Sequence, residues 1–571
     1  LNNEKQGELV SHIYAIIHTT EKEMIYMKDR ILEVLTKLVA CESISSTPKE
    51  PSASIYVNDF IKQIPYFQEH PELCGAYEIP NDPFGRTVPY ALVLGKSKNT
   101  VILSGHIDVV STEVYGDAEP LAFTLGPELE AKLATKDLNE VQRKDLESGE
   151  WLWGRGAADM KGGIAIAMVL LEKYAKLAQE GKLEGSYLFS AVADEECYSA
   201  GMRAIMPKYL ELKNKYSLNF KLLIDPEPAS EDGPAQVLSL GSIGKTMPVI
   251  MTQGAVAHIG HCYNGMSSLN MLAGIYQRTG GSLEFVDVYK DESSMPLNWQ
   301  YMRDIKETYD VSLPFRSCGY MTVLSFKTTI SETLAKLKKI CVEVFDEEVN
   351  KLNAQYQEFK KHNRFETKEK IYYPNCVYTV SELCDKLREK DGAAFDEFYN
   401  KLYDQARDMV AKGKSYPDAT IYLMDKLLSY ADIKQPVVLI GMAPPYYPAT
   451  HSDQIEGREG YGTKVFEFAK KLSEEKFGQA LTSEHYFTGI SDNSYTSIPD
   501  LDFDEITANY PMWGSAYSLD FEAIKEISVP SILYGPIGRE YHQWSERVNK
   551  RSLFEVMPEM IQSVIEFAWE N

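Results

Sequence analysis

WLWGRGAADMKGG, residues 151–163, runs into IAIAMVLLEKYAKLAQEG, which is apolar at helical spacing until Gly181 stops it. The stretch presents one carboxylate, Asp159, at a tight turn just before a helix. Glycines 154, 156, 162 and 163 let the backbone bend sharply and let another group approach closely. A helix-capping Asp in a glycine-rich loop would account for these residues by themselves. The residues that end the neighbouring strands point further.

Outward from this turn, residues 90–94 and 100–103 read as successive buried strands, the second running into SGHIDVV. Downstream, SYLFSAVA at 186–193 reads as a strand that breaks into DEECYSAGMRA, and NFKLLI as a strand ending at Asp225. Residues 22–40 read as an amphipathic helix, SASIYVNDFIKQI begins another, and 116–150 form a polar surface excursion. Strands alternating with helices predict an α/β unit with a mainly parallel central sheet. The pattern changes near Leu240, where an antiparallel α+β unit begins, and 330–428 is mostly charged helix of the kind that forms a solvated face. Buried-strand character resumes at PVVLIGMAPPYYP after Gln435, and PSILYGPIG at 530–538 is the last clear strand and loop. The predicted division is a discontinuous α/β domain, 1–242 and 430–571, interrupted by an inserted α+β lid, 243–429.

A chain of 571 residues, 44% hydrophobic and 25% charged, has the composition of a globular protein of two or more domains. No apolar run approaches the ~20 residues of a membrane span, and LNNEKQGELVSHIYAII lacks the basic-then-apolar layout of a secretory signal. A net charge of −24 argues against nucleic acid and anionic membranes as partners, and is compatible with metal ions and a cationic substrate. The eight cysteines show no CxxC, which predicts reduced thiols in a cytoplasmic protein.

Several polar residues follow apolar strands: His106 and Asp108, Glu195 and Glu196, Asp225 or Glu227, and His542. Ligand sites of open α/β sheets lie beyond the carboxyl ends of the strands, so these residues can converge with Asp159. Two His and several carboxylates without Cys suit a divalent ion such as zinc, cobalt or manganese, with carboxylates enough for two. Each also has a plainer account. His106 can be a hydrogen-bonded core residue, the Glu pair a favourable helix opening, Asp225 turn chemistry between prolines, and His542 an exposed loop residue. Asp108, two residues after His106, favours the ligand reading, because a metal-bound His normally gives its other ring N–H to a carboxylate. In an adjacent Glu pair, one carboxylate can bind metal while the other serves as general base.

SGHIDVV, GRGAADMKGG, ADEE and GPIGREYHQWSERV, in this order and spacing, resemble the zinc amidohydrolase and exopeptidase family of succinyl-diaminopimelate desuccinylase, aminoacylase, carnosinase and glutamate carboxypeptidase. The resemblance spans roughly 25–240 and 430–571. GISDNSY, NYPMWGSAY, MAPPYYP and the long lid resemble the arginine-utilisation RocB branch. The family implies a phosphorylase/hydrolase-like catalytic domain, a dimerisation-type lid enlarged here by its helical segment, and two divalent ions, zinc first and cobalt or manganese as alternatives. By resemblance Asp159 bridges the two ions, His106 and Asp225 complete one site, and Glu196 and His542 the other. Glu195 is the general base and Asp108 orients His106. Family members often carry a Glu-Pro pair at the fourth ligand, so Glu227 in Asp225-Pro-Glu227-Pro stays open beside Asp225. His258 of GAVAHIGHCYNG takes the oxyanion role, with His261 as the alternative. Arg539, Glu546, Arg547, Asp492 and Asn493 are candidate substrate or supporting contacts, for which surface salt bridging is the simpler reading.

These expectations describe a metallopeptidase or amidohydrolase cutting an amide in a small peptide or N-acyl amino acid, with a link to arginine and amino-acid catabolism. A homodimer is allowed but not implied. The reading from another class is a non-catalytic metal- or amino-acid-binding homologue. Retention of the base Glu195 argues against it, since a binder has no use for that group. An NAD- or nucleotide-binding protein using the Gly-rich turn is a poor reading, because GRGAADMKGG matches neither GxGxxG nor a P-loop.

Overall fold

The computed structural model describes residues 25–229, 231–232, 235–499 and 501–571. The N-terminal layout read above and the first three residues of the 22–40 helix lie outside the described residues; 25–39 is helical.

The chain is mixed α/β. Its large sheet runs, edge to edge, Cys74–Glu78, Thr87–Val93, Ser186–Val192, Asn99–His106, Asn219–Asp225, Ser531–Leu533, Ala235–Ser239, Leu481–Glu484. The central strands, from Ser186–Val192 to Ser531–Leu533, are parallel, and Thr87–Val93 joins them antiparallel. Asn99–His106 and Ser186–Val192 are buried along nearly their whole length, as a sheet covered on both faces requires. The helices Lys161–Gln179, Ala200–Tyr216 and Met557–Glu570 pack against this sheet. The two strands read as successive are not partners, because Ser186–Val192 lies between them.

The excursion at 116–150 is more than surface. It folds into the helices Pro127–Leu133 and Glu140–Ser148 and shares a small core with Trp151 and Trp153. Its apolar residues are sparse and irregularly spaced, so no periodicity announced this core.

A second sheet orders Asn298–Asp304, Arg316–Ser325, Gly244–Gln253, Val437–Tyr447 and Val377–Thr379. Val437–Tyr447, read as the return to the first domain, pairs antiparallel along Gly244–Gln253. This second sheet therefore includes residues beyond 429, as far as Tyr447. A wholly apolar strand reads alike at the centre of either sheet, and only pairing distinguishes the two. The charged helical stretch forms Ile330–Lys360, Val380–Asp391, Ala393–Ala411 and Tyr416–Ala431, whose apolar faces are buried.

A clasp ties a separate short hairpin to the segment that follows Leu481–Glu484. Glu292, in a short hairpin, accepts hydrogen bonds from the backbone N–H groups of His485 (2.6 Å) and Tyr486 (3.1 Å). Below it, His451 Nδ1 accepts from Asp453 N at 3.1 Å, so its Nε2–H faces His485 Nδ1 at 3.2 Å. Burial lowers the His451 imidazole from 6.5 to about 4. The unfolded chain therefore takes up this proton first; the group's contribution to stability is complete above pH 6.5 and is lost as the pH falls toward 4. Between pH 7 and pH 5 the loss is about 2 kcal/mol. Thermal unfolding of wild type and His451→Gln at both pH values should show their stability gap narrowing by that amount at pH 5. Parallel pH curves would contradict the assignment.

Candidate metal centre

The parallel register brings the strand ends together. His106 closes Asn99–His106 opposite Val192, so the loop carrying Glu195 and Glu196 emerges beside it. On the other flank, Asn219–Asp225 leads into Pro226 and Glu227. Gly163, at the start of the helix after Asp159, lets this segment approach: a Cβ there would lie 2.1 Å from Pro226 O.

Asp159 and His542, far apart in sequence, meet through a three-stranded sheet in which Arg547–Asn549 pairs with both Trp151–Trp153 and Gly538–Arg539. The buried pair Arg155–Glu546 locks the arrangement at 2.5 Å. Arg155 Nη2 also donates to His542 O at 2.9 Å, while Glu546 Oε1 accepts from Ala158 N and Asp159 N at 3.3 Å each. Breaking one side of such a pair would leave a buried charge uncompensated. Glu546 is thus an internal brace and not a surface ion pair. Arg547 is likewise buried and, with Arg539, holds Asp145 at 2.8 Å. Asp492 and Asn493 are buried too.

His106 Nδ1 lies 3.0 Å from the Asp108 backbone carbonyl, which can only accept, so this nitrogen carries the proton and Nε2 presents its lone pair. Nε2 faces Asp159 Oδ1 at 3.1 Å, Glu227 Oε1 at 3.3 Å and Glu195 Oε2 at 4.0 Å. His542 Nε2 faces Asp159 Oδ2 at 3.3 Å and Glu196 Oε2 at 3.0 Å. His106, Asp159 and Glu196 form one group of donors, and His106, Glu195 and Glu227 another, with atoms within 4.8 Å of one another. Carboxylates and imidazoles converging in this way need positive charge among them, supplied by protons on the histidines or by metal ions that replace those protons. Two ligands of one tetrahedral ion with bonds of about 2.0–2.1 Å stand about 3.3 Å apart. The separations from 3.0 to 3.3 Å are compatible with divalent ions in place of those protons, and each oxygen of Asp159 faces a different histidine. Without such ions, hydrogen bonds to Asp159 and Glu196 push His542 up to about 10, while burial drives the Asp225 and Glu196 carboxyls upward.

Asp108 does something other than expected. Its carboxylate is 3.7 Å from His106 Nδ1; it accepts instead from Glu195 N (3.2 Å), Glu196 N (3.3 Å) and the Ser45 hydroxyl (2.6 Å). The side chain fixes the Glu pair, and the backbone carbonyl orients the histidine. Just before that pair, Asp194 has a left-handed backbone (φ 70°) and is held by buried Arg86 at 2.5 Å, which also binds Glu50 and Asp82. Ser45, Arg86 and Arg155 were not among the candidates. Only Arg155, within the glycine bend, stood in a motif.

Asp225 is buried at the strand end but belongs to neither donor group. His258 is exposed in the segment after Gly244–Gln253, its Nδ1 accepting from Gly260 N at 3.0 Å, and His261 is exposed beside it. Among the described residues no hydrogen bond or ion pair joins either to the centre. The sequence specifies their turn, whereas the distance from lid to sheet is a tertiary property.

An α/β fold with carboxylates and histidines gathered around a half-buried Glu pair is the arrangement of a metallohydrolase. Residues 102–568 match the sequence model of Peptidase family M20/M25/M40, and the chain belongs to that family. It is a hydrolase of the peptidase type. It is 30% identical over 549 residues to YqjN of Bacillus subtilis, covering 94% of this chain and 96% of that one. To RocB of the same organism it is 26% identical over 541 residues, 94% of each. A tripeptidase from Staphylococcus aureus shares the fold, with a TM-score of 0.52 and 12% identity over 95% of this chain and 99% of the other. Among the described residues no helix is long and apolar enough to cross a membrane. All eight cysteines are free, four of them buried.

Proposed function

We propose that this chain is a two-metal peptidase or amidohydrolase acting on small peptides or N-acyl amino acids in the cytoplasm. The observation carrying the reading is the placement of the two Asp159 oxygens against two different histidines, at 3.1 and 3.3 Å. His106, Glu227 and Asp159 would hold one ion, and His542, Glu196 and Asp159 the other. Zinc suits this donor set, with cobalt and manganese as alternatives. Glu227 replaces Asp225 in this assignment because it lies within 3.3 Å of His106 Nε2. When bound, the ions would polarise the scissile carbonyl and acidify the attacking water.

Glu195 takes the proton of that water and delivers it to the leaving amine. Asp108 keeps the Glu195 backbone fixed, and the Arg155–Glu546 pair keeps Asp159 and His542 in register. The link to arginine and amino-acid catabolism is part of the same proposal, as is a lid domain inserted between the halves of the catalytic unit.

Metal-reconstituted protein should release free amine from a panel of dipeptides, arginine-containing ones included, and N-acyl amino acids, and should stop when a chelator is added. No release from any of them would favour the binding-protein reading. The ligand assignment has its own test. Glu227→Gln should weaken metal binding at least 10-fold in a chelator competition, whereas Asp225→Asn should leave it within about 3-fold. The reverse order would restore Asp225 as the ligand.

A further inference from the structure

The loop that carries Glu195 and Glu196 closes on one residue. The Asp194 carbonyl accepts from the backbone N–H groups of Cys197 (3.3 Å), Tyr198 (2.9 Å) and Ser199 (2.6 Å). Its carboxylate accepts from Ala200 N at 3.3 Å, where the helix Ala200–Tyr216 begins. The Glu pair spans the opening of this loop, so fixing Asp194 fixes the chain on which both Glu residues ride.

Arg86, just before the strand Thr87–Val93 and 6% exposed, supplies that fixing. Its Nη1 donates to Asp194 Oδ1 at 2.5 Å and to Glu50 Oε2 at 3.0 Å. Nε and Nη2 donate to Asp82 Oδ1 at 2.8 and 2.6 Å, and the other Asp82 oxygen accepts from Arg86 N at 2.8 Å. The guanidinium is thus braced on one edge and holds the loop with the other. Glu50 ties in a third segment. It accepts from Ser46 N at 2.6 Å, and the adjoining Ser45 hydroxyl donates to Asp108, the acceptor of Glu195 N and Glu196 N. The pair is gripped from two sides, by Asp108 at its own amides and by Arg86 through Asp194. A buried ion network adds little net stability over a packed apolar core. A planar fork with all three nitrogens engaged fixes direction.

We infer that Arg86 is a positioning residue for the Glu195–Glu196 pair, acting through Asp194. Its effect on turnover rests on the proposed hydrolase function, whereas its effect on zinc binding requires only that Glu196 be a ligand. Partners of this kind change affinity or rate by about 10–100-fold. A Lys keeps the charge but has one nitrogen in place of three, so it cannot brace on Asp82 and hold Asp194 together.

The test is Arg86→Lys in the full chain, loaded with zinc and matching wild type by circular dichroism. On the best substrate of the panel above, kcat should fall about 10-fold or more with KM within about 3-fold, and zinc affinity in chelator competition should weaken about 10-fold or more. General loosening of the fold would not single out particular residues, so the substitution is repeated in two backgrounds. With Glu195→Gln the further loss of kcat should shrink to within about 3-fold, and with Glu196→Gln the further loss of zinc affinity should do the same. An undiminished loss in either background, or either quantity unchanged in Arg86→Lys itself, would overturn the inference. If wild type hydrolyses nothing in the panel, the hydrolase reading fails and the zinc measurements decide alone. A loss that vanishes with Glu196→Gln then leaves Arg86 as the residue that places Glu196, and an absent or undiminished loss overturns it. Should Arg86→Lys not fold, Asp194→Asn carries the same measurements and the same outcomes, since Asn keeps the size and tolerates the left-handed backbone (φ 70°).

Discussion

Glu195→Gln is expected to lower kcat by about 10²–10⁴-fold while leaving metal content unchanged. The variant keeps the shape and the backbone hydrogen bond to Asp108 at 3.2 Å, and removes only the capacity to take a proton. Glu195 suits the task because it is close to the donors without being one of the nearest. Its Oε2 is 4.0 Å from His106 Nε2, against 3.1 Å for Asp159 and 3.3 Å for Glu227. Its side chain is 12% exposed, which leaves room for a water and little bulk solvent. Burial, reinforced by Asp492, Glu227 and Glu196, raises its carboxyl well above the ordinary value, toward the range of a working acid–base group. Steady-state kinetics together with elemental analysis decides the point. Unchanged kcat would remove Glu195 from the mechanism, and lost metal would make it a ligand.

Asp159→Ala is expected to cost both metal and activity. Its two oxygens face different histidines, at 3.1 and 3.3 Å, so one substitution takes a ligand from each ion. It also leaves two bound dications to repel each other, since no shared anion then stands between them. Metal content should fall below one ion per chain, and amine release below detection. Full occupancy in this variant would show that the ions are held independently.

Much of this centre was legible in the sequence, and the reason is topological. In a parallel sheet the residues that end successive strands share one edge, so His106, the Glu195–Glu196 pair and the Asp225–Glu227 segment could be gathered from strand-ending motifs alone. Asp159 and His542 depended on the glycine bend and on a motif near the chain's end. The sheet joining Trp151–Trp153 to Arg547–Asn549 supplied their physical link. Choosing between Asp225 and Glu227 was beyond sequence, because two residues across a proline differ by the direction of a side chain. Asp108 was placed correctly beside His106, but backbone and side chain divided its work in a way that spacing cannot express. The lid was the least legible part. Val437–Tyr447 changed sheets, and His258 was set on an exposed loop by packing that no local motif encodes. Surface salt bridging was the simpler reading of Asp492, and only the fold shows it buried.

The most direct measurement of the central claim is the number of metal ions per wild-type chain, by elemental analysis after reconstitution with zinc, cobalt or manganese and removal of excess. Two ions per chain are predicted, because Asp159 turns one oxygen to each of two histidine-carboxylate lobes. One ion, or none under any of the three metals, would contradict the shared site and the mechanism built on it.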